Sequence, residues 1–194
     1  MSKKYRLPPF ASIIDGVRLK HIRKCCNETR CLEGGVAEVG VYYGGSLLVI
    51  ANVFKDRQVY GIDTFAGHPD KCLEIDNHHK FGLYSDVMPY EELKEKFAQQ
   101  APNVVLLKGI FPEEIKLPDQ NYVFVHVDCD IYNSVKDCCE YFYPRLVPSG
   151  IIVFDDYGHA GCDGAKLACD EYFSNRAGCT FTMLPTKVAV ARKY

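Results

Sequence analysis

Asp128, Asp155 and Asp156 are the residues of this 194-residue chain that most invite chemistry. Asp128 follows the apolar run 122–127, and the Asp155-Asp156 pair follows the apolar run 151–154. Both runs read as strands, and neighbouring parallel strands lie about 4.8 Å apart. Acids at both tips would therefore meet on one edge of a sheet. Negative charges that close repel one another unless one carries a proton or a cation sits among them. All-oxygen ligation suits a hard ion, Mg²⁺ or another divalent cation. The plainer alternative is that one acid caps the following helix and the others are solvated. Asp130 is the weakest candidate for the same group, its alternative being to face away and cap a helix beginning near Tyr132.

A second cluster lies upstream, in EVGVYYGGS at residues 38–46. Gly40, Gly44 and Gly45 would let a ligand approach the backbone closely, although a tight strand-to-helix turn also needs glycine. A dinucleotide fingerprint would require glycine at Tyr42, and a phosphate-binding P-loop would require lysine at Gly45. Both phosphate readings weaken. Glu38, just before the loop, disfavours a pyrophosphate and favours a cationic or hydroxyl-bearing ligand. Asp63 ends the next apolar run, 23 residues after Gly40. An acid at that offset can accept hydrogen bonds from ribose hydroxyls, or it can cap a helix. Among the histidines, His126 falls inside a strand and reads as a core residue. His159 follows Asp155-Asp156-Tyr157-Gly158 and could reach the same mouth as a general base. His78 and His79 read as solvated loop residues or substrate contacts.

Positioning these side chains requires a particular order of elements. Residues 12–27 have helical apolar spacing, weakened by Gly16. Strands are expected over 36–39, 59–62, 104–108, 122–127 and 151–154, and helices over 46–54, 90–100, 133–143 and 164–175. Residues 180–184 and 188–191 flank Pro185-Thr186-Lys187 as a closing antiparallel hairpin. The alternation predicts an α/β fold, a doubly wound, mostly parallel sheet of seven strands counting the hairpin. Such sheets bind ligands beyond the carboxyl ends of their strands. Residues 64–89 show no period, and a loop that long is usually a lid or a binding segment. The whole chain, 1–194, reads as one domain, with 1–33 as an N-terminal helical segment.

Composition narrows the function classes. With 47% apolar residues the chain can bury one substantial core, and disorder is excluded. Lys+Arg 23 against Asp+Glu 25 gives net charge −2, so no nucleic-acid partner is expected. No apolar run approaches the ~20 residues of a membrane span, and the N-terminus lacks the apolar stretch of a secretory signal. The ten cysteines contain no CxxC and fit no zinc-ligand spacing. They read as reduced and mostly buried thiols, in a cytoplasmic setting.

Six segments occur in order: EVGVYYGGS (38–46), GIDTFAG (61–67), KGIFP (108–112), VDCDIY (127–132), YPRL (143–146) and DDYG (155–158). Together they resemble the macrocin O-methyltransferase (TylF/MycF-type) family, over roughly residues 34–175. The family usually carries arginine where this chain has Tyr43. The resemblance implies a class I, Rossmann-like methyltransferase fold using S-adenosylmethionine, with Mg²⁺-assisted transfer to a sugar hydroxyl. By that resemblance Glu38, Gly40, Gly44 and Ser46 would hold the methionine part of the cofactor. Asp63 would take the ribose, with Thr64 and Phe65 beside the adenosine, and Gly109, Ile110 and Phe111 would flank the adenine. Asp128, Asp155 and Asp156 would ligate the metal, with Asp128 and His159 as candidate bases. The partner expected is a small-molecule acceptor, a sugar or a diol, and a homo-oligomer is compatible with the resemblance. Two other readings use the same residues: a metal-assisted hydrolase or phosphoryl-transfer enzyme, and a non-catalytic cofactor-binding protein.

Overall fold

The computed structural model describes residues 7–194. Its centre is a seven-stranded sheet in the order β3-β2-β1-β4-β5-β7-β6. The strands are β1 (Gly35–Val39), β2 (Val59–Asp63), β3 (Val104–Lys108), β4 (Tyr122–Val127), β5 (Leu146–Phe154), β6 (Cys179–Met183) and β7 (Ala189–Lys193). Strands β1 to β5 run parallel, while β7 is antiparallel to β5 and to β6. Every residue of β1 and β4 is buried. Their near-continuous apolar runs follow from cover on both faces.

Helices α1 (Gly16–Thr29), α2 (Gly45–Val53) and α3 (Tyr90–Gln100) cover one face through Ile22, Leu47, Ile50, Leu93 and Phe97. Helices α4 (Tyr132–Phe142) and α5 (Asp163–Phe173) cover the other through Val135, Cys138, Phe142, Ala168 and Phe173. The first helix begins later than its apolar spacing suggests. The Asp15 carboxylate accepts from the N–H groups of Val17 and Arg18, at 2.8 and 3.0 Å. Gly16 is thus the first residue after a cap rather than an interior weakness. The fifth strand starts at Leu146, five residues before the expected 151, because Tyr122 already pairs with Leu146 across a register shift.

Residues 64–89 contain neither helix nor strand. They are nonetheless well tied. Asp76, 1% exposed, accepts from the N–H groups of Leu73 and of Tyr132 at the start of α4, both at 2.9 Å. The His68 N–H donates to the Leu83 carbonyl, and the Gly82 N–H donates back to that of His68. The Tyr43 hydroxyl donates to the Asp86 carbonyl at 2.6 Å. Among the described residues no helix is long and apolar enough to cross a membrane.

Candidate active site

The strand order reverses between β1 and β4, and there the carboxyl ends open a cleft. At that point Gly40 and Asp128 touch. The Asp128 N–H donates to the Val39 carbonyl at 2.9 Å, and a Cβ on Gly40 would run into the Asp128 carbonyl. Gly40 has φ 91°, a backbone setting that costs glycine little. Beyond this contact lies a cavity of about 460 Å³, within the size range of small-molecule sites.

Ten of the fourteen site residues named from the sequence line that cavity: Gly40, Asp63, Thr64, Gly109, Ile110, Phe111, Asp128, Asp155, Asp156 and His159. Four are not among the lining residues. Glu38 stands apart from the cavity. Side chains alternate along a strand, so Val36 and Glu38 share the face under α1 and α2. In the β1–β4 register Glu38 stands directly opposite His126. The two are completely buried, with His126 Nδ1 2.7 Å from Glu38 Oε1. Burial pushes the Glu38 carboxyl up, against the opposing pull of His126. For His126 burial works downward, but the Glu38 hydrogen bond and charge raise it overall. The pair thus retains one shared proton to higher pH than free side chains would. Ser46, in the first turn of α2, is buried and hydrogen-bonds the Glu38 side chain. Gly44 precedes α2 with φ 84°, and a Cβ there would lie 2.8 Å from the Phe97 ring. Phe65 packs on Tyr90, with ring centroids 5.3 Å apart. These last two are shaped by the turn and by helix packing.

Asp63 does line the cavity, and its carboxylate has prior engagements. Oδ2 accepts from the N–H groups of Val41 and Tyr42 at 2.8 and 2.9 Å, and Oδ1 from that of Phe65 at 2.7 Å. A carboxylate offers about four lone-pair sites, so about one remains for a ligand. Asp63 thereby fixes the loop after β1, in which Tyr42 has φ 52°.

Across the cleft Asp128, Asp155 and Asp156 each place a carboxylate oxygen within 4.8 Å of the others. Asp155 Oδ2 accepts from Arg18 of α1 at 2.5 Å, while its Oδ1 is buried without a hydrogen-bond partner among the described residues. Asp156 Oδ2 accepts from the Asp130 N–H at 3.0 Å. Burial, and then the charges of Asp156 and Asp155, push the Asp128 carboxyl well up. Burial and Asp155 push Asp156 up to about 6. One arginine is thus set against several acids, and an oxygen is left over. A divalent cation fits that deficit in charge and in donor type.

A family model described as macrocin-O-methyltransferase (TylF) matches residues 4–180. The chain belongs to that family. It is an S-adenosylmethionine-dependent O-methyltransferase. A mycinamicin III 3''-O-methyltransferase from Micromonospora griseorubida is 26% identical over 184 residues, covering 85% of this chain and 71% of that protein. A demethyldecarbamoylnovobiocin O-methyltransferase from Streptomyces niveus is 27% identical over 182 residues, covering 85% and 69%. Among solved structures, the O-methyltransferase NovP superposes with TM-score 0.81 at 23% identity, over 94% of this chain and 81% of that one. The S-adenosylmethionine complex of the O-methyltransferase TomG superposes with TM-score 0.62 at 16% identity, over 98% and 84%. Both likenesses concern the fold.

Several cleft residues of this O-methyltransferase escaped the sequence. Arg18 stands 137 positions from Asp155, and nothing local announces the pair. Asp130 does not cap α4, since Asp76 does that. With φ 60° it turns into the cleft, its Oδ2 3.6 Å from His68 Nε2. His68 is 8% exposed, and burial together with His79 brings its pKa down to about 4. His79 is half-buried rather than solvated, with Nδ1 3.0 Å from His68 Nε2, whereas His78 is exposed. His159 is exposed at the cleft mouth.

Proposed function

We propose that the protein moves a methyl group from S-adenosylmethionine to a hydroxyl of a sugar or glycosylated small molecule, with Mg²⁺ or a similar divalent ion held by Asp128, Asp155 and Asp156. The observation that carries the reading is the under-compensated carboxylate trio, two of its members buried, beside a nucleoside-sized cavity. Glycosylated acceptors are favoured by the relatives, whose names specify mycinamicin, demethyldecarbamoylnovobiocin and a rhamnosyl tetracenomycin.

The cofactor supplies a methyl group on a positively charged sulfur. Gly40 gives it backbone access, Asp63 has one lone-pair site left for a ribose hydroxyl, and Ile110 and Phe111 offer apolar flanks for the adenine. A divalent ion at the trio would orient an acceptor hydroxyl and lower its pKa, which an alcohol needs to act as a nucleophile near neutral pH. Two adjacent hydroxyls could chelate such an ion, so a vicinal diol is the acceptor type of choice. Asp128 is the candidate base, since it reaches the cleft from the strand tip nearest the glycine loop. His159 at the mouth is the second candidate for receiving the proton. The 64–89 segment, walling the cleft with Thr64, His68, Tyr84 and Val87, would exclude water and restrict the acceptor.

Calorimetry with S-adenosylhomocysteine, and tritiated-methyl transfer to a panel of sugars, glycosides and catechols with and without Mg²⁺, test the reading. Binding and chelator-sensitive transfer to a sugar hydroxyl are expected. Absence of cofactor binding at high micromolar ligand, or transfer at the same rate in excess chelator, would overturn it.

A further inference from the structure

The cleft holds a second group of donors, different in kind from the all-oxygen trio. His68 and His79 belong to the 64–89 segment, Asp130 to the loop after β4, and Cys162 to the residue preceding α5. His68, His79 and Asp130 each bring one donor atom within 4.8 Å of the others, and Asp130, Asp156 and Cys162 do likewise. The His68 Nε2 to His79 Nδ1 distance is 3.0 Å, and His68 Nε2 to Asp130 Oδ2 is 3.6 Å. Tetrahedral bonds of about 2.0–2.2 Å require donors about 3.3–3.6 Å apart, and these values lie below and at the top of that range. Cys162 Sγ lies behind them, 3.8 Å from Asp130 Oδ1 and 3.5 Å from His79 Nε2. A hydrogen bond between the two rings accounts for their pairing. It does not account for the Asp130 carboxylate drawn to the same place.

We propose that His68, His79 and Asp130, backed by Cys162, form a second cation site, selective for a borderline transition ion such as Zn²⁺. Imidazole favours that class of ion, whereas Mg²⁺ prefers oxygen donors and keeps its waters. The physical consequence is mechanical. Two ligands come from the irregular segment, one from the loop after β4, and the backing thiol from the start of α5. An ion there fastens the wall of the cleft to the sheet, whether or not methyl transfer occurs. Cysteine spacing could not disclose the site, because its three donors and the backing thiol are single residues from three separate stretches of chain.

The test uses the full chain and Zn²⁺ alone as probe, in equilibrium dialysis against excess Mg²⁺. One Zn²⁺ per chain is expected to resist the Mg²⁺. His68→Asn and His79→Asn should each weaken its retention at least ~10-fold, the scale of losing even an outer support of a metal site. Asp155→Asn should leave it within about 2-fold. No Zn²⁺ retained against Mg²⁺, or retention that Asp155→Asn removes, would overturn the proposal. Should the histidine variants fail to fold, Co²⁺ bound to the unmodified chain decides. Strong visible bands of a four-coordinate nitrogen-containing site are expected, and the weak spectrum of a six-coordinate oxygen site would sink the idea.

Discussion

On the β2 side of the cleft, Asp63 commits both carboxylate oxygens to three backbone N–H groups. On the β4–β5 side, Asp128, Asp155 and Asp156 face one another with Arg18 as partner to one of them and a buried oxygen unmatched. Both sides present acids at strand tips, so residue type alone does not distinguish them. The difference lies in what surrounds each acid. Asp63 is satisfied within the chain and serves to hold a loop in shape. The trio is left short of positive charge, a condition that a structural acid avoids and an ion site requires.

The contrast can be broken most severely at Asp155. Asp155→Asn should lower methyl transfer by about 10²–10⁴-fold, since it removes a donor from the proposed ion site and the partner of Arg18. Affinity for S-adenosylhomocysteine should stay within about 3-fold, as measured by calorimetry. Equal losses in both would merge the two sides and remove the distinction. Asp63→Ala is the converse experiment. It strands the N–H groups of Val41, Tyr42 and Phe65, each worth about 1–3 kcal/mol if left unpaired and dry. A drop in thermal midpoint and a cofactor affinity weakened ~10-fold or more are expected together, with the Mg²⁺ requirement retained.

A finer probe is Arg18→Ala. Its guanidinium contacts the carboxylate that an ion would use, at 2.5 Å from Asp155 Oδ2. Removing it should destabilise the ion-free protein and tighten Mg²⁺ binding severalfold, read by thermal shift against Mg²⁺ concentration. Unchanged Mg²⁺ dependence would show that arginine and ion do not compete.

The smallest effect concerns Glu38 and His126, beneath both sides. Both folded-state pKa values lie above the ordinary ones of 4.5 and 6.5. The folded pair therefore keeps a proton that the unfolded chain releases. The Glu38 contribution is complete below about pH 4.5 and the His126 contribution below about pH 6.5, and each fades as pH rises through its own folded value, by at most about 1.4 kcal/mol per pH unit. Thermal midpoints should fall as pH rises above about 6.5, and Glu38→Gln should flatten the slope.

Local pattern carried the elements of this protein. Apolar runs ended by glycine or aspartate mark β1, β2, β4 and β5, and an acid directly after a run must lie at the strand's carboxyl end. The converging trio follows from that alone. The Asp15-Gly16 cap was equally local and could have placed the start of α1. Where a side chain within a strand points was harder. Glu38 reads as part of the glycine loop, yet the alternation of β1 and its register with β4 turn it into the core against His126.

The sequence by itself determined the α/β alternation, the glycine loop and the acids at the strand tips, because each depends on neighbours within a few residues. Only the tertiary structure decided that Asp63 is already satisfied, that Arg18 meets Asp155, and that His68, His79, Asp130 and Cys162 converge. Those outcomes depend on the crossing of distant segments over the sheet edge. No spacing along the chain encodes a distance fixed by the packing of α1 and the 64–89 segment around the cleft.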